Sequence, residues 1–330
     1  MTRIASLLCC YLLLAVSACS GQQNHKKMSN NPLLCDPETG ICAVPGAPAL
    51  SANTKAPNTG KAISVLYFTD PICSSCWGIE PQLRRMKLEY GDLLQVTYHM
   101  GGLLPDWSYN SGGISKPSDV AHHWDEVSRY YDMPIDGDVW LKDPLPSSYP
   151  PSIAFKAAQL QDEYKALRFL RVIREMVFLE QKNITRWEHL SAAAVITGLD
   201  TLQLKQDYEG AAVQQFQADL AYAQQLGVRG FPTLFFIDQQ GKQERLYGFR
   251  PYTEFEQAIQ HLLPGQQPKH YDTSWKYLFE QYPSWTGKEF AAVSGLGRAA
   301  CEAFLQQLVA TKQLVRFDTK NGPIWRRSEQ

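Results

Sequence analysis

Phe68-Thr69-Asp70-Pro71-Ile72-Cys73-Ser74-Ser75-Cys76-Trp77-Gly78 is the stretch on which the reading of this 330-residue chain turns. An apolar, β-prone run over residues 62–68 leads into it, and a helical pattern running to about Tyr90 follows. Strand, Cys-x-x-Cys, helix is the context that makes two cysteines a redox pair. The reason is electrostatic. A thiol in the first turn of a helix faces unpaired backbone N–H groups and the positive end of the helix dipole, which favour the thiolate, the form that attacks. Cys73 is therefore read as the attacking sulfur with a stabilised thiolate. Cys76, three residues on and on the same face, is the resolving thiol.

About 155 residues further on, Val228-Arg229-Gly230-Phe231-Pro232-Thr233 stands just before a second apolar strand, residues 233–237. A proline there is a candidate cis peptide, and it leaves backbone groups that can receive an added polypeptide strand. Phe231, Pro232 and Thr233 are thus expected to hold a substrate backbone against Cys73, with Trp77 as a further contact.

Between these two motifs the pattern is mostly helical. Candidate helices cover 119–131, 152–160 and 164–180. Another covers 185–196, opened by Thr185 with Glu188 as a capping box, and a last one covers 207–226. A strand over 93–99 precedes them. After the second motif come a strand pair, 233–237 with 243–249, and a helix over 252–263. Pro264-Gly265-Gln266-Gln267-Pro268 reads as a linker. Residues 269–330 then show three helices and a hairpin turning at Asn321-Gly322, a winged-helix-like order. Its third helix offers only Arg298 and Lys312 as cations, too few for the phosphate-neutralising contacts that dominate nucleic-acid binding. Cys301 on its apolar face is read as an inert buried thiol.

These residues resemble the DsbA-type thioredoxin-fold proteins, and among them the SpxH (YjbH) group of ClpXP adaptors. The likeness rests on Asp70 to Trp77, Ala154 to Gln161, Lys182 to Thr185, Pro232-Thr233-Leu234 and the winged-helix-like tail. Pro81 matches the helix-kinking proline of thioredoxins. The resemblance implies an α/β thioredoxin-like fold at 61–263 with a helical insertion at about 113–227, followed by a small winged-helix-like domain at 269–330. Two departures matter. Where thioredoxins keep a buried carboxylate six residues before the first cysteine, this chain has Tyr67, so Asp70 or Glu80 is the candidate for proton transfer. Where DsbA has Pro-His between its cysteines, this chain has Ser74-Ser75, which predicts a milder oxidant.

Eight cysteines stand at 9, 10, 19, 35, 42, 73, 76 and 301. Met1-Thr2-Arg3 and the apolar run 4–16 have the form of a secretory signal, and Val16-Ser17-Ala18-Cys19 resembles a lipobox. That reading makes Cys19 a lipidated first residue of a cell-envelope protein, with the lipid as its one membrane contact. Alternatively, translation from Met28 gives a cytoplasmic chain. Residues 20–60 read as a tether, except that Cys35-Asp36-Pro37-Glu38-Thr39-Gly40-Ile41-Cys42 forms a tight turn that brings two thiols together. This pair is a structural disulfide, a second redox pair, or half of a zinc site.

With 44 % hydrophobic and 20 % charged residues the chain can bury a sizeable core, and its net charge of −1 gives no general attraction to nucleic acid or anionic lipid. No phosphate loop, Ser-His-Asp order or paired-carboxylate motif is present. His122-His123, adjacent on a helix, point in different directions and do not make a ligand pair. No cofactor or metal is called for. The leading expectation is a thiol–disulfide oxidoreductase acting on protein substrates with a redox partner protein. The alternative, implied by the resemblance, is a binding adaptor that delivers a client to the ClpXP protease.

Overall fold

The computed structural model describes residues 35–36, 40–43, 60–108 and 116–328. The expected leader, Cys19, Met28 and most of the tether lie outside the described residues.

In chain order, β1 (Cys35–Asp36) and β2 (Ile41–Ala43) precede β3 (Ile63–Thr69), α1 (Ser74–Gly78), α2 (Glu80–Tyr90) and β4 (Leu94–Met100). A run of helices follows: α3 (Pro117–Tyr131), α4 (Val139–Lys142), α5 (Tyr149–Gln161), α6 (Glu163–Phe178), α7 (Trp187–Thr197), α8 (Thr201–Glu209) and α9 (Ala211–Gln225). Then come β5 (Gly230–Phe231), β6 (Thr233–Asp238), β7 (Gln243–Tyr247) and α10 (Tyr252–Leu262). The C-terminal unit has α11 (Trp275–Gln281), β8 (Ser284–Thr286), α12 (Gly287–Ser294), α13 (Arg298–Ala310), β9 (Leu314–Thr319) and β10 (Gly322–Arg327).

The main sheet runs β4-β3-β6-β7, with β3 parallel to β4 and antiparallel to β6. All seven residues of β3 are buried, which is why its sequence is a nearly continuous apolar run and not an alternation. The strand delivers its C-terminal end, Thr69-Asp70, directly to the cysteines. A second, small sheet runs β1-β2-β5, so the N-terminal hairpin is hydrogen-bonded to the strand that leads into Pro232. The third sheet, β8-β10-β9, belongs to the C-terminal unit.

The Cys-x-x-Cys helix breaks at Ile79 (φ −92°, ψ 3°), and Pro81 opens the second segment, the kink expected of it, because proline lacks the N–H that a continuous helix requires there. Two helix assignments need correction. The expected helix over 207–226 is two helices, broken at Gly210 (φ −127°, ψ −108°). The Thr185–Glu188 capping box does not form. Asn183 Oδ1 accepts both the Thr185 N–H and its hydroxyl, so the helix starts two residues later. By contrast, the Thr286–Glu289 capping box at the head of α12 is complete.

Two apolar clusters fill the molecule, one under the main sheet and the helical run, the other built from C-terminal residues such as Phe279, Trp285, Phe290, Leu305 and Trp325. Between them lies a buried ionic network. Arg171 pairs with Glu289 and Glu175, Arg84 with Glu289 at 3.3 Å, and Arg174 with Glu80 at 2.8 Å. The C-terminal unit is docked on α2 and α6 through these charges.

Candidate redox site

The turn after β3 is fixed by one carboxylate. Asp70 accepts from Ile72 N–H at 3.0 Å, Leu103 N–H at 2.8 Å and the Ser148 hydroxyl at 2.8 Å. This holds Cys73 as the N-cap of α1, with its Sγ accepting the Cys76 N–H at 3.2 Å.

Opposite the cysteines, β2 runs antiparallel to β5 with Cys42 facing Phe231 and Ala43 facing Gly230, and the Phe231–Pro232 peptide bond is cis. The approach is close enough that a Cβ on Gly230 would overlap the Cys42 carbonyl oxygen. At the tip of the hairpin Gly40 adopts φ +62°, and its carbonyl accepts the Phe249 N–H at 2.9 Å. Cys42 is disulfide-bonded, whereas Cys73, Cys76 and Cys301 are free thiols among the described residues. The register sets Cys35 directly across from Cys42. Cys73 Sγ lies 3.3 Å from Cys42 Sγ, and the Ser75 hydroxyl, bonded to Tyr131 at 2.7 Å, lies 3.4 Å from the same sulfur. Cys42, Cys73 and Cys76 have no solvent exposure.

Burial reverses the expected electrostatics of Cys73. With the hairpin overhead, loss of solvent pushes its thiol well above the ordinary value, and the hydrogen bond to Cys76 adds to the effect. Burial opposes charge on Cys76 too, but the hydrogen bond from Cys73, the Arg174 guanidinium and the Thr69 hydroxyl outweigh it, and its thiol falls below the ordinary value. The two sulfurs titrate as a pair, with the charge held toward the Arg174 side. Arg174 is itself buried, donating to Thr69 Oγ1 at 2.6 Å and to the Asp70 carbonyl at 3.3 Å.

Trp77 is not a substrate contact. It is fully buried, stacked on Phe178 at 5.5 Å, capped by Arg171 at 4.3 Å, and donates its indole N–H to the Pro134 carbonyl at 3.0 Å. Phe231 presents only its backbone to β2, because its ring is packed against Gly101. Thr233 donates its hydroxyl to the Gly230 carbonyl at 2.7 Å. Of the proton-transfer candidates, Glu80 is paired with Arg174, while Asp70 is raised by burial to about 6, a value suited to exchanging protons near neutrality. Tyr67, in the place of the thioredoxin carboxylate, is buried and its hydroxyl is pushed well above the ordinary range. Arg174 and Tyr131 were not singled out by the sequence reading, and Ser75 entered it only as part of the Ser74-Ser75 pair between the cysteines. The signal for Arg174 is an arginine inside the apolar stripe of α6. Cys301 is buried, with its thiol raised by burial. No cluster of metal-ligating side chains occurs among the described residues, and no helix there is long and apolar enough to cross a membrane.

A four-stranded mixed sheet with Cys-x-x-Cys at the head of its first helix and a proline-led strand facing it defines the thioredoxin class of fold. A family model described as Thioredoxin matches residues 66–257. The chain is 31 % identical over 309 residues to the ClpXP adapter protein SpxH of Halalkalibacterium halodurans, covering 92 % of this chain and 98 % of that protein. It is 30 % identical over 272 residues to the SpxH of Bacillus subtilis, covering 81 % and 89 %. Among solved structures, a candidate protein disulfide isomerase from Nitrosomonas europaea superposes with a TM-score of 0.51 at 21 % identity, covering 67 % of this chain and all of that one. The chain belongs to the DsbA-like thioredoxin family, in the group that contains the SpxH proteins.

Proposed function

We propose that this chain is a protein-binding adaptor of the SpxH kind, which holds a client polypeptide and delivers it to a ClpXP-type protease. The observation that carries this reading is coverage. The SpxH relative is matched along 98 % of its length, whereas the isomerase-like structure is complete within 67 % of this chain. A further compact unit, docked through Arg84, Arg171 and Glu289, is more than an oxidoreductase fold needs and suits a second binding surface. The test compares protein half-lives in cells with and without the chain, in the presence and absence of ClpX. At least one protein should turn over more slowly when either is missing, and Cys73→Ser should not change that. No protein showing joint dependence would overturn the reading.

A second reading is favoured by one specific contact, the 3.3 Å between Cys73 and the disulfide-bonded Cys42. Here the chain is a thiol–disulfide oxidoreductase on protein substrates. Cys73 attacks, Cys76 resolves and the β5 edge holds the substrate backbone. Cys73→Ser then abolishes reduction of a peptide disulfide. Location separates the two readings, and intact mass of the mature protein reports it. A diacyl or triacyl Cys19 terminus places the chain in the envelope and favours exchange, while a start at Met28 or Ser29 favours the adaptor.

A further inference from the structure

We propose that the Cys73–Cys76 dithiol has a substrate inside its own chain: the Cys42 disulfide, whose other half is Cys35, so that residues 35–42 carry a second redox-active pair wired directly to the first. This rests on the exchange chemistry of the second reading but on no external client.

Three observations converge. The sulfurs of Cys73 and Cys42 are 3.3 Å apart, within the separation at which reacting atoms are already positioned. The contact is built and not incidental. Cys42 is a member of a strand hydrogen-bonded to β5, the strand-addition mode by which a bound peptide would be held. Gly230 and the positive-φ Gly40 let the hairpin seat that closely. Finally, the polar surroundings suit Cys42 as the thiolate released in the second exchange, since the Ser75 hydroxyl reaches Cys42 Sγ and is backed by Tyr131. Cys35 is assigned as the partner because the register places it opposite Cys42, at the spacing of directly paired strand residues, which a disulfide can span.

The exchange balances without an outside reagent. The Cys73 proton passes to the Cys76 thiolate. Cys73 then attacks Cys42 Sγ, the Cys73–Cys42 bond forms, the Cys42–Cys35 bond breaks, and Cys35 leaves with the electron pair and takes the proton back from Cys76. Cys76 next attacks Cys73 Sγ. The Cys73–Cys76 bond forms and Cys42 leaves as thiolate. One pair is oxidised, the other reduced, and two electrons have moved from the thioredoxin face to the hairpin.

The test uses the full chain with Cys76→Ser, which cannot resolve the mixed disulfide, in alkaline buffer so that hydroxide takes the Cys73 proton in place of the missing Cys76 thiolate. The protein is incubated with its Cys42 disulfide intact, acid-quenched, alkylated, digested without reductant and mapped by mass. The expected result is a Cys73–Cys42 linked peptide with Cys35 alkylated, at a rate unchanged by tenfold dilution, and absent from Cys73→Ser. Cys76→Ala repeats the trap should the serine variant fold poorly. Retention of the Cys42–Cys35 peptide with Cys73 alkylated overturns the proposal. The same variant is offered a peptide disulfide in trans. Capture of that peptide at Cys73 without any Cys42 adduct overturns the internal relay and leaves the exchange reading standing, while capture of neither overturns both.

Discussion

Arg171 on α6 grips Glu289 on α12 with two hydrogen bonds of 2.7 and 3.0 Å, and the carboxylate has no contact with solvent. Glu289 also faces Arg84 and accepts the Thr286 N–H. Removing it breaks the buried pair, leaving Arg171 with Glu175 alone and Arg84 with only Glu80 at 4.0 Å, which costs about 3–5 kcal/mol. Glu289→Ala should therefore release the C-terminal unit first. Calorimetry is expected to show a new low-temperature transition, with faster proteolytic cleavage near 264–268. A single transition at the wild-type temperature would contradict the role given to this pair.

Arg174 places a positive charge beneath the dithiol. Arg174→Met should raise the pH at which the first thiol ionises, because the guanidinium is one of the groups that hold Cys76 below its ordinary value. Ultraviolet thiolate absorbance against pH reads this directly. No shift would mean that the hydrogen bonds within the pair, and not the guanidinium, hold the charge on Cys76.

Two buried groups act on stability with opposite sign. Burial raises Asp70 from 3.8 to about 6, the bonds from Leu103, Ile72 and Ser148 offsetting only part of it. The native state thus holds the extra proton between those values, and about 3 kcal/mol of stability is lost as pH rises from about 4 to about 6. Burial lowers His123 from 6.5 to about 4, so the unfolded chain holds the extra proton, and a similar amount, about 3 kcal/mol, is gained as pH rises from about 4 to about 6.5. In the wild type the two nearly cancel. Urea midpoints across this range should rise with pH in Asp70→Asn and fall with pH in His123→Gln.

Gly40 has both a positive φ and no room for a side chain, because a Cβ would overlap Phe249. Gly40→Ala should unseat the hairpin without disturbing the main core. Alkylation of Cys73 in the native protein is then expected to accelerate by roughly tenfold or more, with a thermal midpoint close to wild type. Unchanged Cys73 reactivity would show that the hairpin is not what covers it.

The strand, the dithiol and the proline strand were legible because each is written in adjacent residues. The C-terminal strand β8 was not, since three residues carry too short a pattern. The break at Gly210 was hidden because a single glycine is tolerated within a helical pattern. Arg174 could be read as helical but not as the counter-charge of Cys76, a relation set by its reach to Thr69 and the Asp70 carbonyl at the end of β3. Trp77 beside the cysteines suggested a substrate contact, and only packing turns it inward onto Phe178. The cover over Cys73 had no local signature at all. Cys42 and Cys73 are 31 residues apart, and nothing in that spacing says which sheet edge the hairpin joins.

That cover has a consequence for competition. Sixteen residues, 44–59, join β2 to the described chain that resumes at Gly60. A strand attached through a short, flexible connection competes at an effective concentration on the order of millimolar. A free polypeptide of equal intrinsic affinity, present at about micromolar concentration, would then occupy the β5 edge roughly once in a thousand encounters. Raising its abundance within ordinary cellular limits changes little. Admission to this surface is governed by whatever cuts, cross-links or chemically alters the occupant already attached.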